Sequence, residues 1–255
     1  LIIYGCSSTH SSTNKIYKEQ AKAFAKELKS RPEAIDSTLQ PSEWVGTTNF
    51  GMRRPSYVII HHTAQNSCEQ TLTTFTLKRT EVSAHYVICR DGVVQHMLND
   101  YLRAWHAGNA RWGNLSDINS SSIGIELDNN GAEPFSEAQI NNLVILLRKL
   151  KKQFGIPTAN FIGHSDIAPT RKVDPSRYFP WEQLARQGFG NWYDTSRTEV
   201  PAGFNAIQGL RIIGYDTRDS IAAIKAFKLH FVHSDSIPAL SSGDRKIIYE
   251  LYRKS

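Results

Sequence analysis

The chain has 255 residues, 40% hydrophobic and 21% charged, a balance that excludes a wholly disordered protein. Lysine and arginine outnumber aspartate and glutamate by six, but the charges are scattered, which gives no basis for a nucleic-acid partner. No apolar run approaches the ~18 residues of a membrane span, and the three cysteines, at 6, 68 and 89, rule out a zinc site built on sulfur.

Residues 1–6 are short, apolar and end in Cys6, and residues 7–14 form a polar tether. Two readings stand side by side: a frayed terminus with an incidental cysteine, or the tail of a bacterial lipoprotein signal with Cys6 as the acylated residue. Residues 15–30 carry Ala, Glu and Lys at helical density, with Ile16, Ala21, Phe24, Ala25 and Leu28 on one stripe, and Pro32 ends the helix. Residues 37–55 read as a linker. From Tyr57 the pattern becomes α/β: a buried strand at 57–62, a helix at 68–79, a strand at 85–89 turned by Asp91-Gly92 into another at 93–97, and a strand at 123–127. Ser136 caps a long helix stopped at 155–157, and a short strand at 161–163 delivers His164. Three short amphipathic helices follow, at 204–213, 217–231 and 242–253. The fold predicted is α/β, a mixed central β-sheet flanked by helices, with a small C-terminal three-helix domain.

The chemistry-bearing residues sit at strand ends and in loops of the α/β part, where function collects. His10, His230 and His233 read as solvated. His61 and His62 end a buried strand; His164 and Asp174 flank a Pro-bounded loop. Two imidazoles and a carboxylate suit a catalytic zinc with an open water position, but by spacing alone they also occur by chance. Glu126 interrupts an apolar strand, so it faces either a cation or a cleft, or else solvent from an edge strand. Trp105 and His106, before Gly108, fit the wall of a polar-ligand site or a packed aromatic equally well. Cys68 and Cys89 could pair, with nothing in the sequence to fix their distance.

Taken in order, Ile60-His61-His62-Thr63-Ala64, Ser83-Ala84-His85-Tyr86, Ala104-Trp105-His106-Ala107-Gly108, Ser122-Ile123-Gly124-Ile125-Glu126-Leu127 and the run from Gly163 to Pro175 resemble the zinc N-acetylmuramoyl-L-alanine amidases of the AmpD/AmiD type, over residues 55–195. The helical tail is similar to that of the lipoprotein branch of the family, AmiD. The resemblance implies Zn2+ held by His61, His164 and Asp174, with Glu126 moving the proton and Lys172 meeting the oxyanion. His62 would line the site without binding metal. His85, Tyr86, Trp105, His106 and Arg171 are groove candidates, with His85 and His106 equally suited to supporting the ligands. The implied reaction cuts the amide between N-acetylmuramic acid and L-alanine of peptidoglycan or muropeptides. The implied setting is the periplasm, with a monomeric protein anchored to the outer membrane through Cys6. Domains would run 1–14 (signal and tether), 15–50 (helix and linker), 51–195 (catalytic) and 196–255 (helical, peptidoglycan-binding-like). A non-catalytic peptidoglycan-binding protein of the same fold is the rival, and a cytosolic amidase of soluble anhydro-fragments a third reading.

Overall fold

A computed structural model describes residues 10–30, 46–235 and 237–255. The chain divides after Gly51 into two units. The first contains helix α1 (Ser11–Lys29), which starts earlier than the tether reading allows: the Thr13 hydroxyl and the Asn14 N–H both donate to the His10 carbonyl, at 3.0 and 2.9 Å, and close a turn there. Cys6 lies outside the described residues.

The second unit holds β1 (Tyr57–His62), α2 (Cys68–Thr76), β2 (Tyr86–Ile88), β3 (Val94–His96), α3 (Ile118–Ser121), β4 (Ser122–Leu127), α4 (Glu137–Phe154), β5 (Phe161–Gly163), α5 (His164–Ile167), α6 (Trp181–Arg186), α7 (Ala206–Ile213), α8 (Ser220–Phe231) and α9 (Ser242–Tyr252). The five strands run in the order β3-β2-β4-β1-β5, antiparallel only between β2 and β3. The expected mixed sheet is therefore present. Strand β1 is an interior strand between parallel neighbours, and its two faces bury into separate clusters, Val58 and Ile60 on one side and Ile59 on the other; this is why Val58, Ile59 and Ile60 form an unbroken apolar run.

Helix α4 lays Leu143, Leu146, Leu147 and Leu150 into the main core. It opens with a reciprocal cap between Ser136 and Gln139 and closes at Gly155, whose φ of 68° lies in the left-handed region. Cys68 and Cys89 are joined in a disulfide that ties the start of α2 to the end of β2.

Helices α7, α8 and α9 build an apolar cluster of their own around Leu210, Phe227, Ile248 and Leu251, yet they belong to the same compact unit as the sheet. The joint is polar. The Tyr215 hydroxyl donates to Asp166 Oδ1 at 2.7 Å, and His230 Nδ1 meets Asp166 Oδ2 at 2.7 Å. The reading of His230 as solvated is thus corrected: its ring is buried and stacks on Trp181 with centroids 3.9 Å apart. The helical period of α8 identifies the buried side, but the carboxylate that receives His230 comes from 64 residues earlier. His233 is half-buried and bonds the His230 carbonyl at 2.8 Å.

Candidate active site

Strand register sets the site. His61 on β1 pairs with Glu126 on β4, and Ile60 pairs with Gly163 on β5, the residue before His164. Glu126, His61 and His164 therefore stand in a row at the carboxyl ends of three parallel strands, where open α/β sheets carry their ligand sites. The loop after α5 brings Asp174 back to this row, held by a bond from the Ser165 N–H to the Asp174 carbonyl at 2.8 Å.

His61 Nδ1, His164 Nδ1 and Asp174 Oδ2 form a nearly equilateral triangle, 2.9 Å between the nitrogens and 3.0 Å from each to the oxygen. Among the described residues this is the one group of histidine, cysteine or acidic side chains close enough to hold a metal ion.

The bonds leading away from the triangle decide its protonation. The Ser122 hydroxyl donates to the Ile118 carbonyl at 2.6 Å, so its oxygen accepts from His106 Nε2 at 3.1 Å. Burial keeps His106 neutral by pushing its pKa well below the usual histidine value, so His106 Nδ1 is left to accept, at 3.1 Å, from His61 Nε2. His61 is also neutral, lowered to about 4 by burial and by the neighbouring His164. On the other side His164 Nε2 donates to the Ala107 carbonyl at 3.1 Å. His61 Nδ1 thus turns its lone pair inward, toward His164 Nδ1 and Asp174 Oδ2. Burial opposes ionisation of Asp174, but the adjoining His164 and His61 rings outweigh that and hold it below the usual carboxylate range. An imidazole lone pair and a carboxylate oxygen 3.0 Å apart require a cation between them, a shared proton or a metal. The donor set of two imidazoles, one carboxylate and no thiolate fits a catalytic rather than a closed structural metal site.

Glu126 stands beside this group, its Oε1 3.9 Å from His61 Nδ1. Its Oε2 is buried without a hydrogen-bond partner. Burial and the Asp174 charge push its pKa up to about 8, against the opposing pull of Lys172. A carboxyl group poised in this way can take and return a proton near neutrality.

These residues line a cleft of about 390 Å³ together with His62, Trp105, Arg171 and Lys172. His62 Nδ1 faces away from the triangle and accepts the Ser176 N–H at 3.0 Å. Trp105 is 53% exposed. Arg171 reaches the cleft, but its guanidinium is spent on the Ala107 and Asn109 carbonyls, at 2.6 and 2.9 Å.

Two groove candidates lie elsewhere. His85 is buried, accepting the Gly124 N–H at 3.1 Å and meeting the Leu102 carbonyl at 3.0 Å. Tyr86 is in the core, its hydroxyl donating to Asp100 at 2.8 Å. They lie at the amino end of β2, whereas Glu126 and His61 stand toward the carboxyl ends of their strands, and β2 lies beyond β4 from β1.

Ser122 and Asp166 were not singled out by sequence reasoning. The first carries a hydroxyl at the start of an otherwise apolar strand; the second sits two residues after His164. Gly124 gains a reason as well, since a Cβ there would fall 2.6 Å from His106 Cδ2. Only glycine leaves room for the His106 ring against β4.

The match to known proteins decides the family. Residues 51–177 fit the family model described as N-acetylmuramoyl-L-alanine amidase, and the chain is 33% identical over 210 residues to the amidase AmiD of Escherichia coli, covering 70% of this chain and 75% of that protein. The chain belongs to the N-acetylmuramoyl-L-alanine amidase family. The Haemophilus influenzae 1,6-anhydro-N-acetylmuramyl-L-alanine amidase AmpD is 40% identical over a shorter stretch, 40% of this chain and 56% of that one. In three dimensions this amidase-family chain superposes on E. coli AmiD, solved with anhydro-N-acetylmuramic acid-L-Ala-D-gamma-Glu-L-Lys, with a TM-score of 0.71 and 29% identity, covering 82% of this chain and 93% of that one. Against Pseudomonas aeruginosa AmpDh3 the TM-score is 0.73 at 26% identity, covering 88% and 99%.

Proposed function

We propose that this chain hydrolyses the amide between the lactyl carbonyl of N-acetylmuramic acid and the amine of L-alanine in muropeptides, with zinc held by His61, His164 and Asp174. The observation that carries the reading is the triangle of His61 Nδ1, His164 Nδ1 and Asp174 Oδ2 beside the unpartnered buried Oε2 of Glu126. AmiD, similar over most of the chain, is the relative whose solved complex contains such a muropeptide.

A zinc ion in this position supplies Lewis-acid polarisation of the scissile carbonyl and activation of water. Glu126 accepts the proton of the attacking water, and the water oxygen forms the new bond to the carbonyl carbon. Lys172, lining the same cleft, sets its ammonium against the negative charge that develops on the carbonyl oxygen. Glu126 then delivers its proton to the alanine nitrogen as the carbon–nitrogen bond breaks, leaving a free muramic carboxylate and a free stem peptide. His62, Trp105 and Arg171 shape the walls that receive sugar and peptide.

The setting we propose is the periplasm, with a monomer anchored by an acyl group on Cys6 to the outer membrane. The Cys68–Cys89 disulfide supports an oxidising compartment. The helices of residues 196–255 serve as a peptidoglycan-binding-like part attached to the catalytic part of residues 51–195.

Mass spectrometry of muropeptides tests the reaction. Wild type should release stem peptide beginning at L-alanine, stripping with EDTA should stop it, and zinc should restore it. Binding to sacculi without cleavage by the zinc-loaded protein would instead make this a recognition protein.

A further inference from the structure

None of the residues of helix α1 is buried. On a helix turning about 100° per residue, Lys15, Lys18, Lys22, Lys26 and Lys29 share an arc of about 80°. Tyr17, Ala21, Phe24, Ala25 and Leu28 share a neighbouring arc of about 100°. Phe24 is 52% and Leu28 81% exposed. With Glu19 and Glu27 the helix carries a net charge of +3. Its apolar arc is too narrow to span a bilayer, and no described helix is long and apolar enough to do so.

We infer that α1 lies in the plane of an anionic lipid surface, with Phe24 and Leu28 in the acyl boundary and the lysine row on the headgroups. Two features choose this occupant. The lysine row complements anionic headgroups, and a headgroup–acyl boundary is the surface that receives both a cationic and an apolar stripe from one helix. Peptidoglycan carboxylates would satisfy the lysines but offer nothing to Phe24 and Leu28. Chain length agrees: Cys6 precedes Ser11 by five residues, an extended reach of about 17 Å, so acylation at Cys6 would hold the helix at the membrane.

The test uses the full chain with Cys6→Ser, so that it does not depend on acylation, in co-sedimentation with two kinds of vesicle: phosphatidylcholine alone and phosphatidylcholine mixed with phosphatidylglycerol. Binding to the mixed vesicles should be at least about tenfold stronger than to the neutral ones and should weaken as salt is raised. Phe24→Asp with Leu28→Asp should abolish it, and Lys18→Gln with Lys22→Gln and Lys26→Gln should reduce it about tenfold or more. All these variants should turn over soluble muropeptides at the unsubstituted rate. Equal binding to both vesicle types, no binding to either, or capture by purified sacculi with the vesicles left behind would overturn the inference. Acylation is read separately, from the mass of the unsubstituted protein recovered from membranes, so either reading can fail alone.

Discussion

His61 and Glu126 are paired residues on neighbouring parallel strands, and that single step of register brings a neutral imidazole nitrogen to 3.9 Å from a buried carboxyl oxygen. Both side chains rise from the same face because paired positions in a sheet share a face. The proton carrier and one ligand of the proposed reaction are thus fixed by backbone hydrogen bonds rather than by a loop, which is the precision that proton transfer at a reacting centre requires.

Glu126→Gln should keep the shape and the metal but lose the proton carrier. Turnover should fall by about two to four powers of ten, with zinc content by elemental analysis unchanged. Loss of zinc in step with activity would place Glu126 among the metal-holding groups instead.

Glu126 also makes the metal-free protein sensitive to alkali. Its folded pKa of about 8 lies above the ordinary value of 4.5, chiefly through burial, so between these two pH values the folded state holds a proton that the unfolded state has released. The stabilisation is complete below the unfolded value and is lost as pH rises through the folded one. Melting of metal-free wild type should therefore move to lower temperature from about pH 6.5 to 8, above the range in which the lowered histidines titrate, and Glu126→Gln should flatten that slope. His61 works in the opposite sense: lowered to about 4 by burial, it costs stability as pH falls from the ordinary 6.5 toward 4. Zinc placed beside both groups should reduce both slopes.

The chain from Ser122 through His106 to His61 predicts that ligand orientation depends on a residue that never meets the metal. His106→Ala removes the acceptor of the His61 Nε2 proton and should weaken zinc binding by about 10- to 100-fold, measured by competition with a chelator. Gly124→Ala should behave similarly, because its methyl group would enter the space of the His106 ring. Wild-type affinity in both variants would break the link.

Legibility in the sequence followed the range of the interactions. Strand β1, helix α4 and the Glu126 strand were readable because continuous apolar runs, a 3.6-residue period and caps are local signals. The grouping of His61, His164 and Asp174 is legible only through motifs, since nothing in the spacing between His61 and Asp174 tells that β5 lies beside β1. His85 and Tyr86 were misplaced for the same reason: strand order, not strand identity, decides which ends meet. His230 was misread because its partner, Asp166, is distant in the chain, and Ser122 was passed over because its role exists only once His106 is folded against it.

Asp166 supplies the last prediction. It accepts the Gly163 N–H at 2.7 Å just before His164, and from the helical tail it receives Tyr215 and His230. Tyr215→Phe leaves Asp166 Oδ1 buried without its donor and should cost about 1–3 kcal/mol, seen as a lower urea midpoint with an unchanged slope. His230→Ala should cost more, because it also empties the space beneath Trp181. If the clamp holds the His164 turn as well as the tail, His230→Ala should in addition release zinc more readily. Unchanged zinc affinity in a destabilised variant would confine the clamp to joining the helices to the sheet.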